Sequence, residues 1–185
     1  LIVPEVNPEE ISNHKGIIAN PNCSTIQAVV ALKPLDSKYK IKRIVYSTYQ
    51  AVSGAGSKGI IDLENGIKNY QNEEFDEKRK LNYELQKFPY PIFNDCLPQI
   101  DVALDNGYTK EEEKMINETR KILHDDNIAI TATTVRIPVF NSHSESINIE
   151  FENEFDLFEL KQLLATSHGI IVQDDVKNNI YPMPI

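Results

Sequence analysis

The stretch ANPNCSTIQAVVAL (residues 19–32) decides how this chain is read. Two asparagines and a proline lead into a cysteine, and an apolar helix-forming run follows it. The first turn of a helix offers backbone N–H groups without partners and the positive end of the macrodipole. A cysteine there sits where the thiolate is favoured, so Cys23 is expected to titrate below the free-thiol value of about 8.5. Asn22 and Ser24 can hold the helix start. Upstream, GIIAN (16–20) reads as a short buried strand that Pro21 breaks, and the helix is expected over 24–33, closed by Pro34.

Outward from this point the chain alternates strands and helices without strict βαβ order. YKIKRIVYSTYQAV (39–52) is rich in β-branched and aromatic residues and reads as a long strand running into the glycine turn SGAGSKG. A helix follows through IIDLENGIKNY, and the charged residues 72–90 read as a surface helix or loop. In 107–124, Thr109 with Glu112 forms a capping box ahead of apolar residues at Met115, Ile116, Ile122 and Leu123. Residues 128–140 and 144–151 read as two strands, a hairpin or adjacent pair joined through NSH. A last amphipathic helix over 156–167 is capped by Asp156 and ended by His168-Gly169. The expected fold is α+β: a mixed, largely antiparallel sheet with helices packed on one face.

Composition narrows the function. With 185 residues, 41% hydrophobic and 25% charged, the chain is one globular domain. The net charge of −9 and the lack of a Lys/Arg cluster argue against a nucleic-acid partner. No apolar run reaches the length of a bilayer span and no signal-peptide pattern opens the chain, so no membrane role and a cytoplasmic location are expected. Cys23 and Cys96 lie far apart and outside any CxxC pair, which suggests neither a disulfide framework nor a metal site. The start at Leu1 and the stop at NIYPMPI read as a piece cut from a longer protein.

Two motifs compete for attention. Gly54-Ala55-Gly56-Ser57-Lys58-Gly59 fits GxGxxG between a strand and a helix, but no second parallel strand ending in an acidic residue follows, so a Rossmann site is rejected. A tight turn that can approach a ligand is the better reading. Cys23 needs a proton-transfer partner. Of four histidines, His14 and His124 lie in polar stretches and His168 at a helix end, whereas His143 lies between two strands. Taken alone, His143 fits a satisfied loop histidine as well as a catalyst. Arg136, set in a strand of Ile, Thr and Val, must meet an anion, from the protein or from a ligand. Glu111 and Lys114 share a helix face, where a solvated ion pair is the ordinary reading.

PNCSTIQ, YQAVSGAG, LPQID, NGYTKEEEK, NETRKIL and TVRIPVFNSHSESINIE, in this order, resemble aspartate-semialdehyde dehydrogenase over essentially the entire chain. The resemblance is to the catalytic and dimerisation domain (1–185), similar in fold to the C-terminal domain of glyceraldehyde-3-phosphate dehydrogenase. It implies an N-terminal NADP-binding Rossmann domain and a C-terminal return segment outside this chain. It also implies NADPH-dependent reductive dephosphorylation of L-aspartyl 4-phosphate to L-aspartate 4-semialdehyde, on the route to lysine, methionine and threonine, in a homodimer.

Carried over by residue, Cys23 is the nucleophile, Gln50 orients the acyl intermediate, and His143 is the general acid/base. Arg136 binds the substrate carboxylate and Glu111 its amino group, while Lys114 and Asn22 contact phosphate. Ser53 and Gly54 border the nicotinamide, most of the NADP being bound by the domain outside this chain. Glu113 stands where the family often has a larger apolar residue, which puts Glu111 against Glu112 for the substrate contact. Glu111 is preferred because Glu112 is engaged in the capping box. The fragment alone is expected to lack dehydrogenase activity. The competing readings are an N-acetyl-glutamyl-phosphate reductase, a cysteine acyltransferase or hydrolase, and a module serving only dimerisation.

Overall fold

The computed structural model describes residues 1–71 and 83–184. Four helices, α1 (Cys23–Tyr39), α2 (Ser57–Gln71), α3 (Lys110–Leu123) and α4 (Leu157–Thr166), accompany three strands, β1 (Ile41–Gln50), β2 (Ala129–Arg136) and β3 (Ser144–Phe151). The strand order is β2-β1-β3. β1 and β2 run parallel with Gln50 beside Arg136, and β1 and β3 run antiparallel with Thr48 beside Glu145. The sheet is mixed as expected, with one pairing of each kind among the described residues.

Alternation along β1 turns Ile44, Tyr46, Thr48 and Gln50 inward. Ile44 and Tyr46 join Val29 and Leu32 of α1, and Met115 and Ile122 of α3, in the main core. Both helices therefore lie on one face of the sheet. The other face, with Ser47, Tyr49, Thr133 and Val135, stays partly or fully exposed. A second cluster, Val52, Leu63, Ile92 and Leu97, seats α2 and the 83–97 loop. Asp62 of α2 fixes that loop by accepting the backbone N–H groups of Gln86, Lys87 and Phe88 at 2.8, 2.9 and 3.0 Å.

Three expectations change. Residues 16–20 form no strand; Ile17 is 85% exposed, because no described strand edge lies there to pair with. α1 does not stop at Pro34 but runs to Tyr39. Proline forfeits one N–H, yet Leu35 and Tyr39 beyond it are buried, and that packing outweighs the lost bond. β2 and β3 are neither hairpin nor neighbours: β1 lies between them. Cys96 is exposed. Residues 72–82 lie outside the described residues. The capping box is present, with Thr109 Oγ1 accepting from Glu112 N at 3.3 Å and Glu112 Oε2 from Thr109 N at 2.7 Å.

The topology has one consequence for function. α1 precedes β1 and α3 precedes β2, each as a helix followed by a strand running back. Since β1 and β2 are parallel, both helix N-termini and both strand C-termini gather at one edge of the sheet. β3, antiparallel, begins at the same edge.

Candidate active site

At that edge stand Asn22 and Cys23 from the start of α1, Glu111 and Lys114 from the first turns of α3, and Gln50 and Arg136 from the strand ends. Cys23 is exposed. Its Sγ lies 3.2 Å from His143 Nε2, across 120 residues of sequence. The backbone N–H of Ala51 donates to His143 Nδ1 at 3.0 Å. A neutral imidazole whose Nδ1 accepts carries its proton on Nε2, so the ring points an N–H at the sulfur. Burial, and then the Arg136 charge, push the His143 pKa down, which disfavours an imidazolium. In this state His143 is a hydrogen-bond donor to sulfur, not the acceptor of its proton.

The expectation of a depressed Cys23 pKa is not met. Burial first, and then the Glu111 charge, push the thiol up; the backbone N–H groups of Ser24 and Cys23 and the Arg136 charge act in the other direction and are outweighed. The helix mouth was legible from sequence, but a carboxylate arriving from α3 was not. Glu111→Gln would keep an acceptor for its amide partners while removing the charge. The Cys23 alkylation midpoint is expected to move to lower pH than in the wild type, and an unchanged or higher midpoint would refute this account.

Glu111 is buried and organises the site. Its Oε1 accepts from Asn22 Nδ2 at 2.8 Å and from Gln50 Nε2 at 3.1 Å, and its Oε2 lies 3.5 Å from Lys114 Nζ. Glu112 instead turns to the capping box and to Thr134 N at 2.9 Å. Gln50 Oε1 also accepts from Thr48 Oγ1 at 3.0 Å, so its amide is held at both ends. Asn22 combines two uses: Oδ1 accepts from Ser24 N and Thr25 N as the helix cap, while Nδ2 reaches Glu111. One amide hydrogen is left over for a ligand. Lys114 is also paired with Asp101, at 3.1 Å. Asp101 itself is held low by the Val102 N–H and by Lys114.

Arg136 is buried, and its Nη1 donates to Ala51 O at 2.6 Å. Among the described residues it has no ion-pair partner, although burial pushes its pKa down. Gly54 lies beside it: a Cβ there would stand 3.0 Å from Arg136 Nη1 and 3.1 Å from His143 Cε1. Ser53 is adjacent, its N–H on Phe140 O at 3.1 Å. The structure thus draws all nine residues singled out from sequence to one edge.

Sequence reading missed three more. Glu118 Oε2 accepts the Asn22 N–H at 2.6 Å, and Gln27 Nε2 donates to Glu145 Oε1 at 2.7 Å. Spacing carried the signal: Glu118 is two turns beyond Glu111, Gln27 one turn beyond Cys23, and Glu145 lies two residues after His143, near the start of β3.

A thiol thus touches an imidazole, with a buried guanidinium and a buried carboxylate beside them, at one end of a mixed sheet. Residues 32–185 match the family described as semialdehyde dehydrogenase, dimerisation domain, and the chain belongs to that family. The aspartate-semialdehyde dehydrogenase of Aquifex aeolicus is 56% identical over 100% of this chain and 53% of that protein. The Bacillus subtilis protein of the same name is 45% identical, again over 100% of this chain and 54% of its own length. The chain therefore spans about half the length of the curated relatives it matches.

Among solved structures, aspartate semialdehyde dehydrogenase II from Vibrio cholerae, complexed with ASA, matches with a TM-score of 0.84 and 44% identity, over 91% of this chain and 48% of that one. The Candida albicans aspartate semialdehyde dehydrogenase with NADP matches with a TM-score of 0.60 and 26% identity, over 89% of this chain and 44% of that one.

Proposed function

We propose that residues 1–185 are the catalytic and dimerisation domain of an aspartate-semialdehyde dehydrogenase, which reductively dephosphorylates L-aspartyl 4-phosphate to L-aspartate 4-semialdehyde. The observation that carries this is the buried Arg136 without an acidic partner among the described residues, beside the Cys23–His143 contact and opposite Glu111. A guanidinium and a carboxylate flanking a thiol suit an amino acid with both α-groups charged. Its carboxylate goes to Arg136. Its ammonium goes to Glu111 Oε2, whose one partner among the described residues is Lys114 at 3.5 Å.

Cys23 reacts as the thiolate, its proton lost to solvent at the exposed sulfur; Sγ bonds to the acyl carbon as the carbon–oxygen bond to phosphate breaks, so that phosphate departs and a thioester remains. Lys114 and the free Asn22 amide hydrogen receive the leaving phosphate, Lys114 by turning from Asp101. NADPH, when bound, supplies a hydride. The Ser53–Gly56 turn, exposed at Gly54 and Gly56 and partly so at Ser53 and Ala55, has small side chains that fit the nicotinamide end of that cofactor; the rest of the nucleotide falls to a domain outside these residues. His143 Nε2–H donates to the oxygen of the tetrahedral adduct on Cys23 before and after reduction. Collapse of that adduct releases aldehyde and returns the thiolate.

Burial is the first cause of the raised thiol pKa and the Glu111 charge the second; the ammonium offsets the second, so substrate binding itself favours attack. An acetylated amine would give Glu111 nothing to pair with, which disfavours an N-acetyl-glutamyl-phosphate reductase. The domain joins a homodimer through the uncovered face bearing Ser47, Tyr49, Thr133 and Val135. No described helix is long and apolar enough to cross a membrane, and the composition suits a cytoplasmic enzyme.

The full-length protein is expected to reduce NADP⁺ with L-aspartate 4-semialdehyde only when phosphate is present. Absence of reduction would overturn the assignment. Aldehyde-independent ester hydrolysis without nucleotide would instead point to a cysteine hydrolase.

A further inference from the structure

Nothing in the reaction above uses Gln27 or Glu145, yet they join the two elements that carry the reacting pair. Gln27 stands on α1 one turn after Cys23, and Glu145 on β3 two residues after His143, on the inward face beside Thr48. Gln27 Nε2 donates to Glu145 Oε1 at 2.7 Å and lies 3.5 Å from the carbonyl oxygen of His143. Glu145 Oε2 is buried without a hydrogen-bond partner, and both residues line an open cleft of about 450 Å³ behind His143. α1 and β3 otherwise meet through apolar contacts, which are not directional.

We propose that Gln27 and Glu145 form a brace that holds His143 Nε2 against Cys23 Sγ, and that both are positioning residues for the thiol–imidazole pair. His143 is fixed on one side by the Ala51 N–H at Nδ1. The brace fixes the other side, through the backbone that carries the ring. Without it the 141–145 segment can slide along α1 while the fold persists, and Nε2–H leaves the sulfur. Burial pushes the Glu145 carboxyl up to about 7. A neutral acid still accepts from Gln27 through Oε1, so the brace needs the bond and not the charge.

The inference rests on the Cys23–His143 pairing but not on the identity of the substrate. Its test therefore needs a readout without substrate. Gln27→Met and Glu145→Met remove the bond at similar volume, and Glu145→Gln preserves an acceptor. In the full-length protein, alkylation of Cys23 by iodoacetamide is followed against pH.

A thiolate that loses one N–H donor should alkylate about tenfold more slowly at neutral pH in both Met variants, the worth of a hydrogen bond to a charged group. Glu145→Gln should retain the wild-type profile. In turnover, the Met variants should lose about ten- to a hundredfold in kcat with KM little changed, as expected of a misplaced reacting pair.

Gln27 is exposed, so Gln27→Met tests the brace even if Glu145→Met unfolds. A Gln27→Met protein with the wild-type alkylation profile overturns the proposal. So does Glu145→Gln failing as badly as Glu145→Met. If dehydrogenase activity is absent altogether, the alkylation profiles still decide.

Discussion

Cys23→Ser is expected to leave the fold and its melting temperature unchanged and to remove turnover by about 10⁴-fold or more. The structural half of this follows from exposure. The Cys23 side chain lies at the surface, and its Sγ meets the side chain of His143 at Nε2. The α1 cap is built by Asn22 Oδ1, not by the cysteine, and serine is well tolerated in a first helical turn.

The chemical half follows from ionisation. Burial and Glu111 already raise the thiol, but the same surroundings leave a serine hydroxyl, far less acidic, fully protonated at neutral pH. His143 cannot rescue it, because its Nδ1 is occupied by the Ala51 N–H and Nε2 bears the proton. Binding should survive, since Arg136 and Glu111 are untouched. The expected signature is therefore lost phosphate release in a single turnover, with substrate affinity within about threefold of wild type. Retention of activity within tenfold would mean that no thioester forms on this residue.

How far the site was legible in sequence depends on which contacts are local. The cap at Asn22, the box at Thr109 and Glu112, and the helix carrying Glu111 with Lys114 are all set within four residues, and each was read correctly. What sequence could not supply was the direction of approach between elements. Burial of the thiol, joined by the charge of Glu111, which reaches Asn22 across 89 residues, reverses the expected direction of the Cys23 pKa. The strand order failed for the same reason. Residues 128–151 look like a hairpin because two extended runs flank a short polar link, but β1 inserts between them through inward side chains that share one core. Pro34 misled because its local cost is visible, whereas the burial of Leu35 and Tyr39 beyond it is not.

The glycine motif reads as a tight turn, and the structure gives Gly54, Gly56 and Gly59 each a separate reason to be glycine. Gly56 has φ 82° and ψ −174°, a conformation nearly closed to other residues, and nothing lies within 4 Å of its absent Cβ. At Gly59 a Cβ would fall 2.7 Å from Val52 O. Gly54 has an ordinary backbone, and its restriction is the site itself.

Gly54→Ala should consequently cost catalysis rather than stability. Its Cβ would stand 3.0 Å from Arg136 Nη1 and 3.1 and 3.2 Å from His143 Cε1 and Nε2. Neither neighbour can retreat freely. Arg136 Nη1 is bonded to Ala51 O at 2.6 Å and His143 Nδ1 to Ala51 N at 3.0 Å, so one residue's backbone anchors both groups. Relief requires giving up one of those bonds or turning Nε2 from the sulfur.

Displacement of reacting groups by a fraction of an ångström to an ångström is expected to lower kcat by about 10²-fold, with a loss of stability near 1 kcal/mol. Gly56→Ala provides the opposite pattern two residues away. Backbone strain should cost about 1–3 kcal/mol of stability while the Cys23–His143 contact and kcat stay near wild type. A Gly54→Ala enzyme with wild-type kcat, or a Gly56→Ala enzyme impaired only in catalysis, would show that the turn serves the site in some way other than by leaving space for Arg136 and His143.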